Sequence, residues 1–488
     1  MSIKFMWDQE TEVIIVGFGG AGAAAALAAT EAGAKVLLVE KNPEGGGNTR
    51  YSGGSIRTYL DLDKAIDFIE AVCEGTTERT VVATFVQESE RNRDWVAGLG
   101  GEIVPGPPSG TKGFPIGLPG AAFPSIRGAE GIGPRVRVKG AGEAAGIDLW
   151  GVLSRNVAAR NIRVLASASG KQLLYDKEQG VTGLVAMVGE KEIRIRARRG
   201  VVLSCGGFEY NRSMHLNYLG QSYFGLCNPG NTGDGIRMAG EIGADLWHMS
   251  AVAATFGYKL PEFQFAVRHF MPGAGFVYVD QFGKRFMDET GTDVHAMWAP
   301  TSYIDMKTLH RPRIPAYVIF DEDTRVRGAI GRTDRGKASD VYQWSPDNSA
   351  EVRKGWIKAA DNIGDLAPQI NLRPEQLQTT IAQYNYLCVG GYDPEFGRAP
   401  HTLVPIATPP FYAIAIWPSL YNTQGGPKRN EKAQVVDRWG QPIKRLYSAG
   451  ELGSLWYRNY PGGGNVSEAL AFGRIAGRNA AAELPAAN

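Results

Sequence analysis

Cysteine is scarce: Cys73, Cys205, Cys227 and Cys388 are the four in 488 residues, and no two form a C-x-x-C pair. That speaks against a disulfide framework, a thiolate zinc site and a C-x-x-C-H haem attachment, and it suits a reducing cytoplasm. No metal is expected. Charge of one sign is also lacking. Lys and Arg number 52 against 50 Asp and Glu, a net charge of +2, so no strong field is present to hold nucleic acid or an anionic membrane. Long hydrophobic runs are missing too, since the most apolar helix, Ala21 to Ala29, is alanine-rich and too short to span a bilayer. The stretch from Met1 to Gly17 passes from a polar arm into a strand, without a basic n-region or cleavage site. There is no internal repeat and no low-complexity tract. The expectation is a soluble, cytoplasmic protein of two or three domains, with no nucleic-acid partner and no membrane span.

Glycine, by contrast, is abundant: 63 residues, about 13% of the chain against an average near 7%. Much of it lies in turns beside strands, where a backbone can approach phosphates and a flat ring. Val13-Ile-Ile-Val16 is a β-branched run of the kind buried in a parallel sheet, followed by Gly17-Phe-Gly19-Gly20-Ala21-Gly22 and an alanine-rich helix to about Gly33. Lys35 to Glu40 is the next strand, with Lys41 after it. Gly17 serves the tight turn, Gly19 lets the backbone approach a pyrophosphate, and Gly22 lets helix and strand pack closely. Glu40 stands 18 residues past Gly22, placed to accept hydrogen bonds from a ribose hydroxyl, and an acid there disfavours NADP. Strand, glycines, helix, strand and acid in register predict a dinucleotide site.

A second glycine- and hydroxyl-rich loop follows directly, Glu44-Gly-Gly-Gly-Asn48-Thr49-Arg50-Tyr51-Ser52-Gly53-Gly54, which an NAD enzyme does not need. It resembles the GGNT/S…SGG loop of the flavoprotein family that contains soluble fumarate reductases and 3-ketosteroid dehydrogenases. Further segments resemble that family in order along the chain: Val201 to Phe208 with Gly206-Gly207, Asn231-Thr-Gly-Asp234 to Ala239, Val277 to Glu289 with Arg285 and Asp288, Lys444 to Glu451, and Tyr460-Pro-Gly-Gly-Gly464-Asn465-Val466 onward. Taken singly, Gly206-Gly207 also reads as an ordinary left-handed turn and Asp234 as a helix N-cap. The resemblance implies FAD, held non-covalently because no His or Cys lies near the Gly45 to Gly54 loop. It implies FAD contacts at Gly17, Gly19, Gly20, Ala21, Gly22, Glu40, Lys41, Asn48, Thr49, Ser52, Gly53, Gly54, Gly170, Gly206, Gly207, Asp234, Glu451, Asn465 and Val466.

The expected fold is α/β with an α+β cap: a Rossmann-like FAD-binding domain from residues 1–247 and 409–488, interrupted by a substrate-covering domain at 248–408. Residues up to 247 read as alternating strands and helices, whereas 248–408 carry aromatics, prolines and charge in irregular order. An amphipathic stretch from Pro374 to Leu387 there reads as a helix with proline in its first turn. The Gly- and Pro-rich stretch 101–142 reads as a loop system over the site.

The resemblance also bears on chemistry. Where fumarate reductases carry a proton-donor arginine, this chain has Asp293; where they have the histidine of HTxGG, it reads Tyr421-Asn422-Thr423-Gln424-Gly425-Gly426; and their substrate-clamping arginine is replaced by Tyr460-Pro461. The Tyr460 to Gly464 turn instead resembles the YPGPG turn of 3-ketosteroid Δ1-dehydrogenases. That implies a ketone oxygen held by the Tyr460 hydroxyl and the Gly464 N–H. The expected reaction is α,β-desaturation of a ketone, a 3-ketosteroid or cyclohexanone-like ring, with electrons leaving to a diffusible acceptor. An ene-reductase and a non-catalytic flavin-binding protein are the alternatives. Asp293 is a candidate base or a helix cap, Tyr303, His295 and Tyr421 are its rivals, and Trp456 and Tyr457 are candidates for the pocket wall.

Overall fold

The computed structural model describes residues 6–106, 123–140 and 145–486. Residues 107–122 and 141–142 of the anticipated loop system therefore lie outside the described residues. The expected βαβ unit is present as β1 (Gln9–Val16), α1 (Gly20–Glu31) and β2 (Val36–Val39). β1 pairs in parallel with β2 on one side, Val13 opposite Val36, and with Lys191–Leu203 on the other, Val16 opposite Leu203. Arg163–Leu165 extends this parallel sheet beyond β2 and Pro442–Ser448 extends it beyond Lys191–Leu203. Covered on both faces, β1 has no need of alternation, and Val13, Ile14, Ile15 and Val16 are all buried. The strands expected from Ile162 to Ala197 are present, but Ala168–Asp176, Gly180–Val188 and the first half of Lys191–Leu203 form an antiparallel meander.

The alanine content of α1 has a packing cause. Residues Gly20 to Ala29 are buried, and the helix lies against Gly464–Ala482 at backbone distance. A Cβ on Gly473 would come 2.6 Å from the Ala21 carbonyl oxygen, and one on Gly477 would come 2.2 Å from that of Ala25. Larger side chains on either helix would separate the pair.

The second sheet is antiparallel apart from the short strand Phe224–Gly225, and its central strand is Phe411–Thr423, paired with Ala316–Asp321 and with Val252–Lys259. Phe276–Val279 lies outside one neighbour; Ala266–His269 and then Gly331–Arg332 lie outside the other. Phe411–Thr423, which falls within the expected FAD-binding segment 409–488, pairs in this second sheet and not in the first. Phe411–Thr423 alternates poorly because both faces are covered, and its hydrogen bonds belong to the cap. The helix expected from Pro374 to Leu387 runs Pro374–Gly390 and seats Leu377, Ile381 and Tyr384 in the apolar layer behind this sheet. Arg285 and Glu289, from one of the resembling motifs, serve that interior: Arg285 donates to Glu289 at 2.8 and 2.9 Å and to Asp393 at 2.8 Å, all nearly without solvent contact.

Candidate active site

One cavity of about 700 Å³ runs between the two sheets. Its first half is built largely of backbone. Gly17, at φ +102°, turns the chain off β1, and a Cβ on Gly22 would fall 1.9 Å from the Gly17 carbonyl oxygen. The N-terminus of α1 thus faces the cavity, with Gly20 N–H donating to Thr49 Oγ1 at 3.1 Å. Glu40 directly follows β2 and accepts from the Phe18 and Asn42 N–H groups, each at 2.8 Å, which fixes its carboxylate at the cavity wall. Lys41 donates to Asp234 at 2.6 Å. Asp234 is the first residue of its helix, with left-handed Gly233 at the cap, so it is not the N-cap.

Asn48 joins the glycine-rich loop to two distant segments: its side-chain N–H donates to Glu451 at 2.8 Å and its oxygen accepts from Asn228 N–H at 2.9 Å. Burial, reinforced by the Glu209 carboxyl beside it, pushes Glu451 well above the usual carboxylate range. The Asn465 side chain, at the start of the helix Gly464–Ala482, borders the cavity with its buried oxygen and nitrogen both lacking a hydrogen-bond partner among the described residues. A helix N-terminus and glycine turn for a diphosphate, an acid for a ribose, and an orphaned amide for the polar edge of a ring fit FAD.

The second half is built of side chains. Gly462 and Gly463, both near φ +70°, turn the chain after Tyr460, a conformation that side-chain-bearing residues rarely adopt. The Asn465 N–H then donates to the Tyr460 hydroxyl oxygen at 3.0 Å, leaving the hydroxyl proton for another acceptor. Arg57, buried and pulled down to about 10 by that burial, clamps the turn through the Pro461 and Gly462 carbonyls. Burial pushes the Tyr460 hydroxyl up. Asp293 accepts from both the backbone N–H and Nδ1 of His295, each at 2.9 Å. Burial opposes ionisation of Asp293, but the His295 ring, its hydrogen bonds and Arg135 carry the carboxyl below its ordinary value. The His295 ring stands edge-on to Tyr460, with centroids 5.0 Å apart, and 5.3 Å from Tyr421.

Of the expected cofactor contacts, all but Gly22 and Gly207 border the cavity, and these two pack beneath it. Tyr460 and Asp293 border it as well. Gly464 does not: its Cα faces Trp456, a Cβ there falling 2.2 Å from the indole, and Gly463 is the turn glycine at the wall. Tyr303 is also misplaced, half exposed on the outside and stacked 4.6 Å from the Arg313 guanidinium. Trp456 is fully buried under Tyr460, and Tyr457 packs against His248 instead of lining the wall. The cavity adds residues for which the sequence offered no motif: Arg135, Arg137, Arg268, Arg332 and Arg335. A charged residue inside the apolar strand Ala266–His269 was the one available signal. Among the described residues no group of three or more His, Cys, Asp or Glu is placed to hold a metal, and no helix is long and apolar enough to cross a membrane.

A family profile described as "FAD binding domain" matches residues 12–466. The chain is 28% identical over 484 residues to the NADH:fumarate oxidoreductase of Klebsiella pneumoniae, covering 96% of this chain and 47% of that protein, about half its length. It is 29% identical over 490 residues to the fumarate reductase (cytochrome) of Shewanella frigidimarina, covering 96% and 77%. The fold is shared with the 3-ketosteroid delta1-dehydrogenase of Sterolibacterium denitrificans, at a TM-score of 0.82 and 21% identity, covering 97% of this chain and 100% of that one.

Proposed function

The chain belongs to the FAD binding domain family, and from that premise we propose that it is an FAD-dependent oxidoreductase that desaturates the α,β bond of a ketone, a ring compound of 3-ketosteroid or cyclohexanone type. The observation that carries this reading is the Tyr460 hydroxyl in the cavity wall, its oxygen already accepting from the Asn465 N–H and its proton free to donate. FAD, when bound, supplies a two-electron acceptor for the β-hydrogen. The Tyr460 hydroxyl holds the ketone oxygen and stabilises the negative charge that gathers there as the α-proton leaves. His295 takes that proton: its Nδ1–H is held by Asp293, which keeps the Nε2 lone pair available, so Asp293 acts as a positioning residue and not as the base. In this reading residues 6–247 and 424–486 form the FAD domain and 248–423 the cap, in a cytoplasmic protein that passes electrons to a diffusible acceptor.

The test is anaerobic mixing of the FAD-loaded protein with saturated cyclic ketones of increasing size. Bleaching of the oxidised flavin, lost in His295→Gln, is expected; absence of bleaching across the series overturns the reading. A reductase of an activated double bond, the direction in which the Klebsiella and Shewanella relatives are named, uses the same groups in reverse. It predicts reoxidation of the reduced flavin by the enone.

A further inference from the structure

A buried cation lies directly behind the Tyr460 turn. Arg57 is 1% exposed and does not border the cavity, whereas Tyr460, Pro461 and Gly463 do. Its Nη2 donates to the Pro461 carbonyl at 3.1 Å and to that of Gly462, while its Nε and Nη1 find no hydrogen-bond acceptor among the described residues. Nor does any carboxylate among those residues come within ion-pair distance of it. The acid whose charge it feels is Asp293, which is already hydrogen-bonded to His295. Burial pulls Arg57 down only to about 10, so it is a cation at neutral pH. Holding the turn requires no charge. A neutral donor such as Gln could serve the same carbonyls without the desolvation that a guanidinium incurs on burial.

The turn itself shows where the charge acts. Arg57 binds the Pro461 and Gly462 carbonyls, and the Ser467 hydroxyl donates to that of Gly463 at 3.1 Å. Ser467 Oγ also accepts from the Arg57 N–H at 2.9 Å, which ties the two segments together. The peptide bonds from Pro461 to Gly463 are trans, so the Gly462 and Gly463 N–H groups point opposite to the carbonyls that Arg57 holds. These two dipoles carry the positive potential of Arg57 across the turn. Burial opposes negative charge at the Tyr460 hydroxyl, and the Asn465 N–H and then Arg57 favour it. We propose that Arg57 is a positioning residue for the reaction: through the Pro461–Gly463 turn it supplies the fixed positive charge that stabilises the enolate oxygen held at Tyr460. For the identity of that oxygen the proposal rests on the ketone reading. As the α-proton leaves to His295, its electron pair moves onto the oxygen, and in a site shielded from water a fixed cation acts more strongly than in solution. An enone reductase passes through the same enolate, so the direction of the reaction does not alter the role.

Binding of 4-nitrophenol to the FAD-loaded protein tests it, because this probe is coloured only when ionised and its oxygen stands in for that of the enolate. Absorbance against pH should show the bound phenol ionising at lower pH than the free one. Arg57→Gln should raise that pH by at least about one unit, a tenfold change in ionisation constant, and Arg57→Lys, which keeps the charge without the fork, by less than half as much. In rapid mixing with the most active ketone, the saturating rate of flavin bleaching should fall at least about tenfold in Arg57→Gln, with the half-saturating concentration changed less than about threefold. Equal losses in the Gln and Lys variants overturn the proposal, since Arg57 would then be a clamp and no more. A phenol that the parent protein fails to bind, or binds without raising its acidity, overturns it too, and that measurement stands should Arg57→Gln fail to retain FAD. A flavin reduction potential that drops in Arg57→Gln while the ionisation of the phenol stays put assigns the charge to the flavin and likewise overturns it. If no ketone bleaches the flavin but phenol ionisation still follows Arg57, the ketone reading falls and the charge at Tyr460 stands. If ketones bleach the flavin equally fast in the parent and in Arg57→Gln, the reading stands and the proposal falls.

Discussion

The two halves of the cavity recognise by different means. On the cofactor side, Gly17 to Gly22 and Gly46 to Gly54 present backbone, and the charges are already matched: Lys41 to Asp234, Glu40 to two N–H groups. On the cap side, long side chains from strands far apart in sequence converge, Arg268 and Arg332 among them. A site read by backbone restricts where a Cβ is allowed, and that restriction is written as glycine spacing. A site read by side chains is written only in which strands pair.

The largest test of this contrast is Gly22→Val. Its Cβ would meet the Gly17 carbonyl oxygen at 1.9 Å, and the turn has no slack to move. Loss of FAD, measured as the ratio of flavin to protein absorbance, is expected together with loss of cooperative unfolding. Stoichiometric FAD in that variant breaks the claim that backbone geometry governs the first half. Next in size is Tyr460→Phe, which removes one hydroxyl from the side-chain-built half of the cavity and leaves the glycine frame intact. Turnover should fall by roughly 10² to 10³, about 2.7–4 kcal/mol of barrier, with FAD content unchanged. Rapid-mixing measurement of flavin bleaching reads it, and a near-normal rate removes Tyr460 from the chemistry.

The smallest effect concerns pH. The folded-state value of Asp293 lies below its ordinary one, so its contribution to stability is present above the unfolded carboxylate range, near about 3.9, and is lost as pH falls through the lower folded value. The difference in melting temperature between the parent protein and Asp293→Asn should therefore shrink below about pH 4. A difference that stays constant from roughly pH 7 to pH 3 would show that the carboxylate gains nothing from His295.

The same contrast accounts for what the sequence disclosed. The βαβ unit was legible because each of its requirements is local: Gly17 needs a positive φ, β1 needs apolar residues on both faces, and Glu40 needs only to follow β2. The cap was not. Arg268 and Arg332 are separated by 64 positions and meet only through strand pairing, while Arg332-Thr-Asp334-Arg335 on its own resembles any solvated charge run. Gly464 and Gly463 differ by one residue, and two consecutive left-handed glycines decide which of them meets the cavity. Tyr303 and His295 both follow Asp293 in sequence, but the structure puts the His295 ring against the Asp293 carboxylate and Tyr303 half exposed against Arg313. The sheet that Phe411–Thr423 joins is not legible in its residues, because a strand buried on both faces reads alike in either.

The backbone contact between α1 and the helix Gly464–Ala482 sets an order of events during synthesis. About 430 residues separate the end of α1 from the first residue of its partner, which at ribosomal speed is a delay of roughly 20 to 90 s. Throughout that interval the nascent chain carries a finished glycine turn whose helix has one face without its neighbour, and strand Pro442–Ser448 is still to enter the sheet. FAD uptake therefore follows the synthesis of the helix Gly464–Ala482. A ribosome stalled before residue 464 would release a chain with the whole glycine turn and no closed cradle around it.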